Sequence, residues 1–384
     1  MRNISFGKPM IGEEEKKAVM EALSSPTLVH GPRTEEFEHA FSNFTGAPSS
    51  VAVSSCTAAL HLSYFHFGIG PGDEVILPAQ THVATAHAVE LCGGKPVFVD
   101  SEEDTGNMDL GQIESKITPR TRALSVVHFL GMPVDMSRVM TLARKHRLFV
   151  VEDCALAVGT YWDGIHAGLH GDVGCFSFYP VKHLTTSEGG MLVTRNEELA
   201  QAIRRKKAFG VDRSVNERII PGIYDVTLLG FNYRMSEIQA TLGVEQLKKI
   251  PTFLARRREN FEILRKALGD IEEIRFFREA TGKSVSSHYC LSFLLDKSLV
   301  TCRPEMIRYL KAQGVGTSIY YPRPVPHFSY YQAKYGYEDK SFPVARWISE
   351  ASIALPVGPH LAQEDMFYIA EKVKEAVLRV KAEV

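Results

Sequence analysis

The chain has 384 residues, 45% of them hydrophobic and 23% charged, which is room for a large and a small domain in an ordinary soluble globular protein. A formal net charge of −1 gives no bulk field to draw nucleic acid or an anionic membrane, and no apolar run reaches membrane-spanning length. The opening run from Met1 to Pro9 has no apolar signal core, and six scattered cysteines without a C-x-x-C pair read as reduced thiols in a cytoplasmic protein, not as a disulfide framework or a zinc site.

From about residue 50 to 195, short apolar runs alternate with helix-like stretches. Strands are predicted over 50–53, 74–77, 96–99, 124–128, 149–151, 175–178 and 191–194. Helices fall between them, for example over 57–67 and 135–146; the second has Asp135 at its cap and Met136, Val139, Met140 and Ala143 at helical spacing. Such alternation predicts an α/β protein with a mainly parallel or mixed sheet between helices. Beyond the last strand come a helix over 197–209 and a loop over 210–229 with a Pro221-Gly222 turn. A helix over 236–250, capped by Ser236, is interrupted by Pro251, and another follows over 252–268. Strands over 288–294 and 317–321 and a closing helix from about residue 363 complete the pattern. The division predicted is a large domain over 1–246 and a smaller α+β domain over 247–384. The run Arg256-Arg257-Arg258 reads as a solvated helix face.

The chemistry gathers around Lys182. An apolar strand ends at Pro180, Lys182 follows, and Glu188-Gly189-Gly190 leads into the next strand. A lysine between two buried strands tends to lose its charge and become a nucleophile, and a neutral amine forms a Schiff base with an aldehyde such as pyridoxal phosphate. Upstream, the strand around Val150 and Val151 ends in Glu152 and Asp153. An aspartate at a strand's carboxyl end can contact a ligand, cap a helix or bind a metal; no His/Asp/Glu cluster at ligand spacing surrounds this one, and no metal is predicted. Beside Lys182 it has a specific use, because a carboxylate keeps a pyridine nitrogen protonated. The run Val51 to Leu60 reads as strand, tight turn and helix, with small and hydroxylated residues opening the helix. Its first N–H groups are either an anion site or an ordinary Ser/Thr cap. Ser177 can add a hydroxyl to the same anion. His82, after the strand over 74–77, either lies against a cofactor ring or starts a helix with no ligand. The glycines of Gly68-Ile-Gly-Pro-Gly72 fit a turn; no G-x-G-x-x-G is present.

In this order the pieces resemble the DegT/StrS family of sugar aminotransferases, which have the fold type I aminotransferase architecture. The matching runs are Gly31-Pro32 with Phe37-Glu38, Ser55 to Leu60, Gly70 to Val75, Pro78 to Thr85, Val126 to Gly131, Glu152-Asp153, Phe176 to His183, Glu188 to Gly190, Asn232 to Met235, Tyr320 to Pro322, and His327. The resemblance implies a pyridoxal 5'-phosphate enzyme with Lys182 as Schiff-base lysine and proton shuttle. It implies Asp153 at the pyridinium nitrogen, Thr57, Cys56 and Ser177 at the phosphate, and His82 at the ring. Asn232 would reach the cofactor phosphate of a neighbouring subunit, making a homodimer with shared active sites. His183, Tyr320, Arg323 and His327 are the candidate substrate contacts. Cys56 stands where the family has glycine, Leu156 where a polar residue is common, and His82 where Phe, Tyr or Trp is more frequent.

The implied activity moves an amino group from an amino acid, glutamate by resemblance, to a keto sugar. The sugar is nucleotide-linked in most of the family, and an eight-carbon keto-deoxy acid in some members. A cofactor-dependent sugar dehydratase is the rival within catalysis; dehydratases of the family carry histidine at the lysine position. A sensor that binds cofactor or sugar without turnover is the rival outside it. An NAD-linked oxidoreductase lacks its phosphate loop here.

Overall fold

Short apolar runs buried on both faces make strands, and the computed structural model, which describes residues 2–212, 220 and 222–382, places thirteen among those residues. They are β1 (Ser49–Val53), β2 (Glu74–Pro78), β3 (Lys95–Val99), β4 (Thr121–Val127), β5 (Phe149–Asp153), β6 (Tyr161–Trp162), β7 (Ile165–His166), β8 (Val173–Ser177), β9 (Gly190–Thr194), β10 (Ile274–Phe276), β11 (Ser284–Val285), β12 (Leu291–Leu295) and β13 (Ser352–Leu355). Seven form the central sheet in the order β1-β9-β8-β5-β4-β2-β3. The run from β3 to β8 pairs in parallel, whereas β9 is antiparallel to both β8 and β1. Six strands therefore share one direction and β9 alone is reversed. The carboxyl ends of β1, β2, β5 and β8 meet the amino end of β9 along one edge.

Alternate side chains of each strand serve opposite layers. Val51 and Val53 pack with Leu60 and Leu62 of the helix Cys56–His66, while Ala52 packs with Phe37 and Phe41 of the helix Pro32–Thr45. The helix Met136–His146 covers Leu124, Val126 and Val150, with Asp135 capping it through the Arg138 N–H. In the second lobe the antiparallel sheet β10-β12-β13 packs under the helices Arg303–Ala312 and Gln363–Lys381 and the distal half of Glu237–Leu268. The α/β class with a mixed, mainly parallel sheet and a smaller antiparallel lobe is the one the alternation predicts. No helix among the described residues is long and apolar enough to cross a membrane.

Several local expectations are corrected. Pro251 does not break its helix: one helix runs from Glu237 to Leu268 with the proline inside it. An internal proline costs about 3 kcal/mol. Here its ring is exposed, and burial of the flanking Ile250 and Phe253 outweighs that cost. The strand expected from residue 288 starts at Leu291, because His288 adopts a left-handed backbone (φ 47°) that no strand accepts. The segment 317–321 makes only the single bridge Ser318–Ala354, since Tyr320 gives its carbonyl to the Gln80 side chain. The helix after β9 stops at Lys206, and Phe209 is left-handed. Arg256 and Arg258 pair with Glu259 and Glu262 at the surface, but Arg257 is buried and is not part of a solvated face. Pro221 of the expected Pro221-Gly222 turn, and residues 213–219 of that loop, lie outside the described residues.

Candidate active site

The shared edge of the sheet collects the residues that carry the chemistry, as the carboxyl ends of parallel strands do in open α/β folds. Asp153 closes β5 and is buried. Its Oδ2 accepts from the Thr85 hydroxyl at 2.7 Å and its Oδ1 from the Ala155 N–H at 3.0 Å, so the carboxylate is held at both oxygens. The preceding Glu152 points to the other side and is fully buried. It accepts from His128 Nε2 and from the N–H groups of Gly168, His170 and Gly171 at 2.7–3.0 Å. His128 Nδ1 in turn accepts from the Val134 N–H. The donor atoms of His128, Glu152 and Cys154 lie within 4.8 Å of one another, and the bonds of the first two latch the end of β5.

Lys182 follows β8 in a loop tied back on itself. The Phe178 N–H bonds the Gly189 carbonyl, the Thr186 N–H bonds the Phe178 carbonyl, and the Lys182 N–H bonds the Tyr179 carbonyl. Burial lowers the pKa of the Lys182 amine below that of an ordinary lysine, with the nearby Asp153 charge acting the other way. The uncharged amine is the nucleophilic form.

The phosphate-site candidates lie at the start of the helix Cys56–His66. Ser55 caps it by accepting from the Ala58 N–H at 3.1 Å, while the N–H groups of Cys56 and Thr57 precede the first intrahelical bond. Free N–H groups at the positive end of a helix dipole are the kind of place where an anion binds. Ser177, the last residue of β8, pairs in register with Gly190. The Cys56 thiol turns inward and donates to the Cys175 carbonyl at 3.5 Å, so it does not crowd the turn. Burial, reinforced by Asp153, pushes its pKa well above the usual value and keeps it neutral.

The two glycines before β9 are dictated by contact. A Cβ on Gly190 would sit 2.4 Å from the Ser55 carbonyl carbon and 2.6 Å from the Cys56 nitrogen, and one on Gly189 would meet Thr186 Oγ1 at 2.1 Å. Gly190→Ala is expected to cost about 1–3 kcal/mol by overpacking. Because the clash falls on the turn expected to hold a cofactor phosphate, cofactor retention should weaken by about tenfold or more for each 1.4 kcal/mol borne there. Urea unfolding and a cofactor titration read the two effects, and an alanine protein with unchanged affinity would remove Gly190 from this account.

The other expected residues fall in three settings. His82 caps the helix Val83–Leu91 by accepting from the Ala84 N–H at 3.2 Å, and its ring lies edge-on to Tyr321 at 5.9 Å. Burial lowers its pKa, while Asp153 raises it and Lys182 lowers it further, which places it beside both. Tyr320 stands at the lobe junction with its hydroxyl 2.9 Å from that of Tyr289, and Arg323 is exposed. His183 and His327 are buried. His183 donates from Nε2 to the Ser287 carbonyl at 3.2 Å and stays neutral, its pKa pushed far down by burial and by Arg257. Asn232 is exposed, its backbone bridges Ala208, and its side chain has no hydrogen-bond partner among the described residues. It does not cap the next helix; Ser236 does, by accepting from the Gln239 N–H.

A family model for the DegT/DnrJ/EryC1/StrS aminotransferases matches residues 9–374. The chain belongs to that family. It is 38% identical over 379 residues to the spore coat polysaccharide biosynthesis protein SpsC of Bacillus subtilis, covering 97% of each chain. Among solved structures it is similar to Spr1654 from Streptococcus pneumoniae in its PLP form (TM-score 0.93, 29% identity, 99% of this chain and 100% of that one). It is likewise similar to the sugar aminotransferase CalS13 from Micromonospora echinospora, with TM-score 0.88 and 29% identity over 97% of this chain and 99% of that one. The family is one of pyridoxal-phosphate-dependent sugar aminotransferases, the one into which the sequence was read.

The sequence reading passed over Thr85, Gln80, Tyr289 and Tyr321. Thr85 lay inside a matching run, and its spacing from His82, one helical turn, was the available signal. Gln80 donates to the Tyr320 carbonyl and accepts from the Ser349 hydroxyl, clamping the two lobes together. Nothing local in the sequence points to that pairing. A separate cleft of about 440 Å³ lined by His66, Phe149, Asp172 and Arg195 opens at the amino edge of the sheet, away from all the residues above.

Proposed function

We propose that this chain transfers an amino group from glutamate to a nucleotide-linked keto sugar. The observation that carries the proposal is a lysine amine whose pKa is lowered by burial, beside a held carboxylate and a helix start with free N–H groups on one sheet edge. The residues suit pyridoxal phosphate: Gly190 leaves the turn of Ser55 and Cys56 open backbone, and Asp153 is a buried acidic side chain with its orientation set. When bound, that cofactor supplies an aldehyde for an amine and a ring that accepts electrons. Cys56 and Thr57 N–H groups and the Ser177 hydroxyl would hold the phosphate. Asp153 would keep a proton on the pyridine nitrogen by charge pairing. His82 would cover the ring face. Lys182 Nζ would hold the aldehyde and, when free, would carry a proton from the donor's α-carbon to the cofactor in one half-reaction and from the cofactor to the acceptor carbon in the other.

Tyr320 and Arg323 meet the acceptor sugar, while the buried His183 and His327 shape its site from behind. With lobes over 1–246 and 247–384, this acceptor site would lie at their junction. Presence of the lysine favours transamination over dehydration. A panel of 4-keto and 3-keto nucleotide sugars and eight-carbon keto-deoxy acids, each assayed with glutamate for 2-oxoglutarate release, tests the reading. Turnover with none of them, or water loss from the sugar without amine transfer, would sink it.

The working unit is a homodimer with Asn232 serving the neighbour's phosphate site. Phe209, Ile220, Ile223, Tyr224, Val226 and Leu229 are exposed apolar residues in the stretch before Asn232, the composition of a surface that a second copy covers. A heterodimer of a Lys182→Ala chain with a chain damaged at Asn232 concentrates both lesions in one site and leaves the other whole. It should recover up to about half of wild-type activity per dimer. No recovery in verified heterodimers, with the Asn232 variant itself inactive, refutes the shared site.

A further inference from the structure

Arg257 lies midway along the helix Glu237–Leu268 and is buried, yet among the described residues no carboxylate pairs with it. Its Nη1 donates to the Tyr289 carbonyl at 2.8 Å, and its Nε is buried without an acceptor. Taking a guanidinium out of water is costly, and a carboxylate usually offsets the cost. Here the return is one backbone carbonyl and one aromatic ring, whose centroid lies 5.8 Å from the guanidinium carbon. A leucine or methionine would fill the position more comfortably.

The same ring faces the amine. Lys182 Nζ lies 5.6 Å from the Tyr289 centroid. Tyr289 is fixed on every side: at its carbonyl by Arg257, at its hydroxyl by Tyr320 at 2.9 Å, and at its flank by the His183 ring at 5.6 Å. Tyr320 is itself held by Gln80. The titratable groups around Lys182 are then the Cys56 thiol, Asp153, His82, His183 and the Tyr289 phenol. The Tyr289 ring stands against one side of the amine.

We propose that Arg257 and Tyr289 are a pair of positioning residues for Lys182: the Arg257 fork anchors Tyr289 by its backbone, and the Tyr289 ring is the wall that keeps the lysine amine dry beside Asp153. The importance of the amine rests on the function proposed above; the geometry of the wall does not. Arg257 is needed as a fork, because it must reach a carbonyl and lie against the ring at once, which a lysine's point charge does less well.

The test uses the cofactor-free protein. Acetic anhydride acetylates only the uncharged amine, so the pH midpoint for labelling of Lys182, read by peptide mass spectrometry, reports the surroundings of that one side chain. In the wild type the midpoint should lie below the value of about 10.4 for an exposed lysine. Tyr289→Leu and Arg257→Met should each raise it by about one pH unit or more, as water reaches the amine. Tyr289→Phe keeps the wall and should leave it in place. Arg257→Lys, the variant that disturbs the fold least, should raise it by a smaller but measurable step. A wild-type midpoint equal to that of an exposed lysine overturns the proposal. So does an unmoved midpoint in a folded Tyr289→Leu protein, and an unmoved midpoint in Arg257→Lys removes Arg257 from it even where the larger substitutions do not fold. The labelling involves neither cofactor nor turnover. Failure of the wall and failure of the aminotransferase reading are therefore separate results.

Discussion

Lys182→Ala is expected to fold normally and to lose activity by about three powers of ten or more, since one side chain would be both the covalent anchor and the proton carrier. The fold should survive because the loop is closed by backbone bonds among Phe178, Tyr179, Lys182, Thr186 and Gly189, none of which uses the lysine side chain. Removing a partly buried amine whose pKa is already depressed also relieves desolvation. Borohydride treatment of the wild type should fix the cofactor to the peptide that contains Lys182, and the variant should carry none. Retention of more than about a tenth of wild-type turnover is incompatible with a role in proton transfer, which alone contributes about two to four powers of ten.

Asp153→Asn should separate rate from binding. Asparagine keeps the shape and can still accept from either the Thr85 hydroxyl or the Ala155 N–H, the two bonds that orient the native carboxylate. It cannot supply the charge that holds a proton on the pyridine nitrogen. Turnover should fall by about two to three powers of ten, the usual loss when one electrostatic group is removed from a reacting centre. Cofactor affinity should change far less, because the proposed phosphate contacts belong to the separate turn at Cys56 and Thr57. Stopped-flow half-reactions with glutamate and an equilibrium titration measure the two quantities. An unchanged rate with collapsed affinity would make Asp153 an anchor only.

What could be read in the sequence was whatever is written locally. The strands and their carboxyl-end residues Asp153, Ser177 and Lys182 follow from apolar runs and what terminates them. Ser236 and Asp135 were legible as caps because capping is a matter of residue type and spacing. The failures share a cause. Pro251 reads as a break until the packing on both sides of it is known, and Arg257 reads as solvated because its two neighbours are. Tyr289 carries no motif at all: its place beside Lys182 depends on chain segments more than a hundred residues apart closing on each other. The three contacts that would have exposed it come from the long helix, the Lys182 loop and the segment around Tyr320, and no periodicity in the sequence links them.

The reversal of β9 also sets a schedule for synthesis. The strand pair β8 and β9 is a local hairpin, with Ser177 opposite Gly190, and can close as soon as both have left the ribosome. β1 has no such neighbour. Its register partner for Ser49 is Thr194, 145 residues later in the chain, which at a typical elongation speed is a wait of roughly 7–30 s. For that interval the Val51-Ala52-Val53 edge has no strand to pair with, and an unpaired apolar edge is the part of a nascent chain most prone to association. A chain stalled short of β9 would therefore present that open edge to chaperones, because both β1 and β8 wait for the same strand.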